Sequence, residues 1–177
     1  MNANIHGLMA EFETHGQLLD AARKAHEHGY CHMDGYTPFP VEGLPEALGL
    51  KPTRVPLLVL AGGICGGAGG YFMEWCANVV SYPLNIGARP LNAWPMFIPI
   101  TFELTILCAA LSGFLGSLFL NRLPQPYHPV FNTPHFERAS IDRFFLCIEA
   151  EDPKFDPLAT RAFLNGLNAI SVSEVEK

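Results

Sequence analysis

The chain has 177 residues, of which 49% are hydrophobic and only 16% are charged, against about 25% charged in an average soluble domain. Its formal net charge of −6 argues against a nucleic-acid-binding surface, which needs a basic stripe. The five cysteines form no Cys-x-x-Cys or Cys-x-x-Cys-His motif, which argues against covalent haem, a cysteine-ligated iron–sulfur cluster and a structural zinc site. We therefore expect no cofactor and no metal on this chain.

Residues 1–50 have the pattern of a strand, a helix and a second strand. Apolar residues indicate the first strand, and Thr14 with Gln17 has the spacing of a capping box, which starts a helix. Gly29 is a typical helix end, and residues 30–36 are the predicted second strand. This half is too short to bury an adequate core alone.

The middle of the chain has the composition of a membrane hairpin. Residues 55–80 and 94–120 are each longer than the roughly 20 apolar residues that cross a hydrocarbon core of about 30 Å. We therefore predict two transmembrane helices joined by a short loop at 81–93. From residue 55 to residue 120 the chain carries three charged residues: Glu74, Arg89 and Glu103.

Basic residues beside the hairpin predict its orientation. Lys51 and Arg54 precede the first span and Arg122 follows the second, whereas the 81–93 loop contains only Arg89. Because cytoplasmic flanks are enriched in Lys and Arg, we expect both termini in the cytoplasm and the loop in the periplasm.

Small residues recur at four-residue spacing in both spans. Close helix packing in lipid favours such spacings, because hydrophobicity does not drive helices together there. These residues either only pack the two spans against each other or also dock helices of other subunits. The predicted helix-packing positions are Gly62, Gly66, Gly70, Gly113 and Gly116.

Glu103 and Glu74 are the candidate functional carboxylates. Glu103 lies nine residues beyond Trp94, which is roughly 13 Å into the membrane. A charged carboxylate there costs a few kcal/mol unless it is paired, neutral or in a cavity. We expect Glu103 to relay protons, to dock a partner or simply to pack in neutral form. Glu74 is expected nearer the outer interface.

The carboxy-terminal part repeats the strand–helix–strand order. A Pro-rich connector at 121–141 leads to the strand RFFLCIEA at the start of 142–177, and Asp156 with Pro157 has the pattern of a helix start. Two such halves are the parts of a ferredoxin-like sandwich. The predicted fold is a two-span hairpin inserted into a split ferredoxin-like cytoplasmic domain, whose halves are 1–50 and 142–177.

Catalytic and metal motifs are weak. Four candidate ligands lie close together at His26, His28, Cys31 and His32, but the first two end a helix and the last two point to opposite sides of a strand. The sequence has no Ser/His/Asp signature, and its glycine run lacks the ending of a phosphate loop. We therefore expect that this chain has no catalytic site of its own.

Five segments carry a family resemblance: GLMAEFET (7–14), YTPFPVEGLPEALGL (36–50), SYPLNIGARPLNAWPMFIPITFELTIL (81–107), PYHPVFN (126–132) and DRFFLCIEA (142–150). Together they resemble the ActD subunit of bacterial alternative complex III. The positions that match the family's motifs are Pro38, Phe39, Pro40, Gly43, Leu44, Tyr82, Pro83, Asn85, Gly87, Pro90, Trp94 and Glu103.

The resemblance implies a non-redox accessory subunit of a quinol-oxidising respiratory complex in the bacterial inner membrane. Quinol, iron–sulfur clusters and c-type haems are then expected on partner subunits: multi-span quinone-site subunits, an iron–sulfur subunit and c-type cytochromes. Lipids are the other expected contacts. Two alternatives remain open from the residues themselves. One is a free-standing membrane sensor whose soluble domain binds a ligand or metal at the His/Cys group, and the other is a small oligomeric transporter.

Overall fold

The computed structural model describes residues 5–177, which fold as two compact units. One unit contains the chain up to Lys51 and again from Pro126 onward, and the other is Pro52–Gln125. The helices are α1 (His15–His28), α2 (Leu44–Ala47), α3 (Val55–Trp75), α4 (Trp94–Leu120) and α5 (Pro157–Asn165). The strands are β1 (Ile5–Phe12), β2 (Met33–Tyr36), β3 (Phe144–Glu149) and β4 (Ser171–Glu176).

The first unit is built on a four-stranded sheet in the order β2-β3-β1-β4, and every neighbouring pair is antiparallel. In the central pair, Leu8 of β1 lies opposite Ile148 of β3. The two central strands therefore come from opposite sides of the apolar middle segment in sequence. Neither part of the chain could form this sheet without the other.

Helices α1 and α5 begin and end at the residues that the sequence indicates. Thr14 and Gln17 form a complete capping box, and Gly29 ends α1 in the left-handed conformation with φ of 98°. The side chain of Asp156 accepts a hydrogen bond from Ala159 N at the start of α5. Both helices contribute to one core, whose fully buried members include Phe12, Leu18, Ala22, Leu146, Ile148 and Leu164.

The opposite face of the sheet is covered by the Pro-rich connector. Two short 3₁₀ helices, Pro129–Asn132 and Phe136–Ser140, bring Val130, Phe136 and Ala139 against the sheet. On the sheet side, this second core contains Met9, Phe145, Cys147 and Val175. The pKa of the Cys147 thiol is raised to about 12, mainly because the thiol is buried. Residues 126–141 thus belong to the sheet unit and are not an extended linker.

A buried hydrogen bond joins the two sequence halves of the sheet unit. Tyr30 Oη and Thr160 Oγ1 are 3.0 Å apart, and both residues are buried. Because Thr160 also accepts from Asp156 N, at 3.2 Å, its hydroxyl keeps a partner when the tyrosine hydroxyl is removed.

Tyr30→Phe is therefore expected to lower the free energy of unfolding of the sheet unit by about 1 kcal/mol, the usual net value of one neutral hydrogen bond. A double-mutant cycle with Thr160→Val measures the coupling between the two hydroxyls by urea unfolding. Additive effects of the two substitutions would show that this bond does not stabilise the fold.

The second unit contains two apolar helical segments. A π-helical segment, Cys76–Ser81, continues α3, so the first apolar segment runs over Val55–Ser81 and the second over Trp94–Leu120. Each has 27 residues and is long and apolar enough to cross a membrane. The structure confirms the prediction of a mixed α/β protein with two apolar helices, and its sheet is four-stranded and antiparallel.

Candidate functional site

The seam between α3 and α4 contains the predicted packing glycines of α3. A Cβ atom built on Gly62 would lie 2.5 Å from Ser112 Cβ, and one on Gly66 would lie 2.6 Å from Cys108 Cβ. One turn further, a Cβ on Gly70 would lie 3.0 Å from Leu104 Cδ1. Real Cβ atoms essentially never approach other atoms below 3.0 Å, so the two backbones lie closer at Gly62 and Gly66 than any larger residue allows.

The glycines of α4 meet aliphatic side chains of α3. A Cβ on Gly113 would lie 3.0 Å from Val59 Cγ2, and one on Gly116 would lie 2.9 Å from Leu58 Cδ1. Both neighbours are ends of flexible side chains, so these positions are less restrictive than Gly66. Whether any of the five glycines also docks helices of other subunits stays a prediction.

Glu103 lies on α4 with an exposed side chain. The residues of α4 that approach the α3 glycines form a stripe that includes Thr105, Cys108 and Ser112. At 3.6 residues per turn, Glu103 is about 170° around the helix axis from the middle of this stripe. The carboxylate predicted at mid-membrane therefore points away from α3.

Glu74 occupies a different environment. Its Oε2 atom is buried and has no hydrogen-bond partner within the described chain, and its residue is half-buried. Glu74 follows Gly70 by one helical turn, which places it on the side of α3 that meets α4. The structure therefore does not bring the two carboxylates together, since Glu103 lies on the far side of α4.

Polar groups that the sequence analysis did not single out accompany Glu74 in the seam. Thr101 has a buried hydroxyl with no partner among the described residues, and its Cα would lie 3.4 Å from a Cβ on Gly70. Thr105 Oγ1 donates to Thr101 O at 2.7 Å, and Asn78 Nδ2 donates to Glu74 O at 2.9 Å. The spacing of Thr101, Thr105, Cys108 and Ser112 is the helical signal that could have identified this polar stripe.

The four candidate metal ligands do not form a common site. The His26 ring lies against Gly49, and the His28 ring stacks on Phe163 with centroids 4.8 Å apart. The backbone N–H groups of Cys31 and His32 donate to Asp152 Oδ2 at 2.6 and 2.8 Å. Over residues 5–177, no group of three or more His, Cys, Asp or Glu side chains is placed to hold a metal ion.

Comparison with known proteins gives a family for this fold and hairpin. No curated protein matches the chain. The family described as Alternative complex III, ActD subunit, matches residues 6–174, which include both apolar helices and all of the sheet except the first residue of β1 and the last two of β4. The chain therefore belongs to the ActD family and is a subunit of the multi-subunit alternative complex III.

Proposed function

We propose that this chain is a non-redox accessory subunit of the quinol-oxidising complex, with its hairpin in the bacterial inner membrane and both termini in the cytoplasm. The family match over residues 6–174 carries the proposal. The two 27-residue apolar segments and the excess of flanking basic residues over the single Arg89 of the loop support the membrane placement and orientation.

The sheet unit acts as a split ferredoxin-like domain that braces the cytoplasmic surface of the complex. Its order β2-β3-β1-β4, its antiparallel pairing and its α1 and α5 on one shared core support this assignment. In this reading, residues 1–50 and 142–177 are the two halves of the domain, and the hairpin is inserted between β2 and β3. The connector residues from 126 onward pack on the second face of the sheet.

The redox groups of the complex reside on its other subunits. The proposed partners are multi-span quinone-site subunits, an iron–sulfur subunit and c-type cytochromes, which would carry quinol, iron–sulfur clusters and haem. This chain supports those partner subunits structurally, through its position in the complex. Its five cysteines are all free, and Cys147 is buried in the second core of the sheet unit.

Native purification in mild detergent tests this function. A tag on this chain should bring down haem-containing and large multi-span subunits, identified by haem absorbance and mass spectrometry of the same band. Recovery of a colourless oligomer of this chain alone would contradict the proposal and favour a sensor or a small transporter.

We also propose that a membrane carboxylate, Glu103 or Glu74, contributes to a proton route through the membrane. We expect Glu103→Gln to slow quinol oxidation and proton movement in membrane vesicles when the rates are expressed per complex that remains assembled, because the amide cannot release a proton. Glu74→Gln is the matched variant for the carboxyl in the α3–α4 seam. Unchanged rates in both assembled variants would exclude a proton role.

A further inference from the structure

We propose that the face of α4 centred on Glu103 docks a transmembrane helix of a partner subunit, and that this helix carries a basic side chain at the level of Glu103. The inference rests on the proposed membrane placement of the hairpin. It goes beyond that function because it names one contact surface and the chemistry of its occupant.

Glu103 lies near the middle of α4. The helix runs Trp94–Leu120, which is about 40 Å at 1.5 Å per residue, and its middle residue is Leu107. Glu103 precedes Leu107 by four residues, or about 6 Å. A hydrocarbon core of about 30 Å centred on the helix therefore includes Glu103 well inside its boundary.

The α4 side chains next to Glu103 offer it no hydrogen-bond donor. The residues one turn from Glu103 are Pro99, Ile100, Ile106 and Leu107, and none has a polar side-chain atom. The helix α3 lies on the opposite side of α4, as the contacts of Thr105, Cys108 and Ser112 show. The hairpin's own packing thus leaves the Glu103 carboxyl without a donor.

The basic residues of the hairpin lie at its two ends. The guanidinium of Arg89 contacts Met96 Sδ, seven residues before Glu103, which is about 10 Å away along the axis. The other cations of Pro52–Gln125 are Arg54 and Arg122, which lie just outside α3 and α4 at the other end of the hairpin. Glu103 is therefore an acidic group in an apolar face, and a basic side chain is its electrostatic complement.

The backbone of α4 before Glu103 contains a carbonyl oxygen without its helical donor. Pro99 lacks an N–H group, so the carbonyl oxygen of Pro95 lacks its helical donor. Pro99 precedes Glu103 by one turn on the same side of α4. The Pro95 residue lies about 12 Å before Glu103 along the axis, so its carbonyl is a separate second acceptor for groups of a neighbouring helix. A lysine or arginine side chain from that helix can donate to the Glu103 carboxylate, and transmembrane carboxylates are normally paired in this way or face a cavity.

The test compares Glu103→Leu, Glu103→Gln and Glu103→Asp in the whole complex, purified through a tag on this chain. The measured quantity is the ratio of haem to this chain as the detergent used for purification becomes harsher, because salt does not screen a charge pair inside the hydrocarbon core. We expect Leu and Gln each to lower the ratio at least tenfold, because both remove the charge. Asp keeps the charge and should retain most of the complex.

A photocrosslinking amino acid in place of Leu107, one turn after Glu103, identifies the occupant. We expect a crosslink to a partner peptide that contains Lys or Arg within one helical turn. Crosslinks to lipid alone would overturn the inference. An unchanged haem ratio in Glu103→Leu would also overturn it, as would a low ratio in Glu103→Leu together with a wild-type ratio in Glu103→Gln. If the wild-type chain recovers no haem subunit, the proposed function itself fails, which separates the two failures.

Discussion

Gly66→Leu should separate α3 from α4 and lower the stability of the hairpin by at least about 3 kcal/mol. The first added carbon would collide with the backbone carbonyl oxygen of Leu104 and lie 2.6 Å from Cys108 Cβ. A backbone oxygen cannot rotate away as a side chain can, so the helices themselves must move apart. Overpacking a fitted core usually costs 1–3 kcal/mol, and here a whole leucine must be accommodated.

The measurement is the SDS concentration that unfolds the detergent-purified full chain, compared with Gly69→Ala. Gly69 lies on the same helix but has nothing within 4 Å of its Cβ position. Its substitution should leave the midpoint unchanged or raise it slightly, because alanine favours helix. Equal midpoints for Gly66→Leu and the wild type would show that the close approach is not needed for the hairpin.

Asp152→Ala should destabilise the sheet unit by about 2–4 kcal/mol. The Asp152 side chain is buried and accepts from three backbone N–H groups: Cys31, His32 and Lys154. Two of these donors precede β2 and the third precedes α5, so one carboxylate joins both sequence halves. Hydrogen bonds to charged groups contribute about 1.5–3 kcal/mol each, and their losses are not additive. Hydrogen exchange of the β1 and β3 amides measures the change, with exposed Asp20→Asn as the control.

The same carboxylate makes the stability of the sheet unit dependent on pH. Burial opposes ionisation of Asp152, but the N–H groups of His32, Cys31 and Lys154 outweigh it and hold its pKa below the ordinary value of 3.8. Because the folded-state pKa is depressed, this stabilisation is complete above about pH 4 and is lost as the pH falls through the folded-state value. Asp152→Asn should flatten that acid dependence, and a wild-type slope in the variant would assign it to other groups.

The start of β2 could not be predicted from local sequence patterns alone. Residues 30–36 have the apolar pattern of a strand, but the observed strand begins at Met33. The preceding N–H groups of Cys31 and His32 are bound by Asp152, about 120 residues later in the chain. Helix caps at Thr14 and Asp156 could be predicted because all their partners lie within one turn.

The buried connector was harder to predict for a different reason. Its short 3₁₀ helices have no sustained helical or strand period, so the Pro-rich sequence resembles a linker. The available signal lay in β3, whose residues Phe144–Ile148 are all apolar and all buried. A continuous apolar strand indicates that both faces of its sheet are covered.

The position of Glu103 along α4 could be predicted from the sequence, but the side of the helix on which it lies could not. Counting residues from Trp94 locates Glu103 along α4, whereas its side of the helix depends on which stripe meets α3. Both sides of α4 are rich in apolar residues, so hydropathy cannot distinguish them. The close contacts at Gly66 and Gly70 supply that information.

The paired central strands lie far apart in sequence, which affects when the sheet can form during synthesis on the ribosome. β1 pairs with β3 and β4, and β2 pairs with β3, so the observed pairings leave both early strands without partners until residues 144–176 have been made. The hairpin emerges and can insert while those strands still have open edges. A chain that terminates early then displays unpaired strands, which proteases and chaperones recognise. The sheet unit can therefore close only after residues 144–176 have been synthesised.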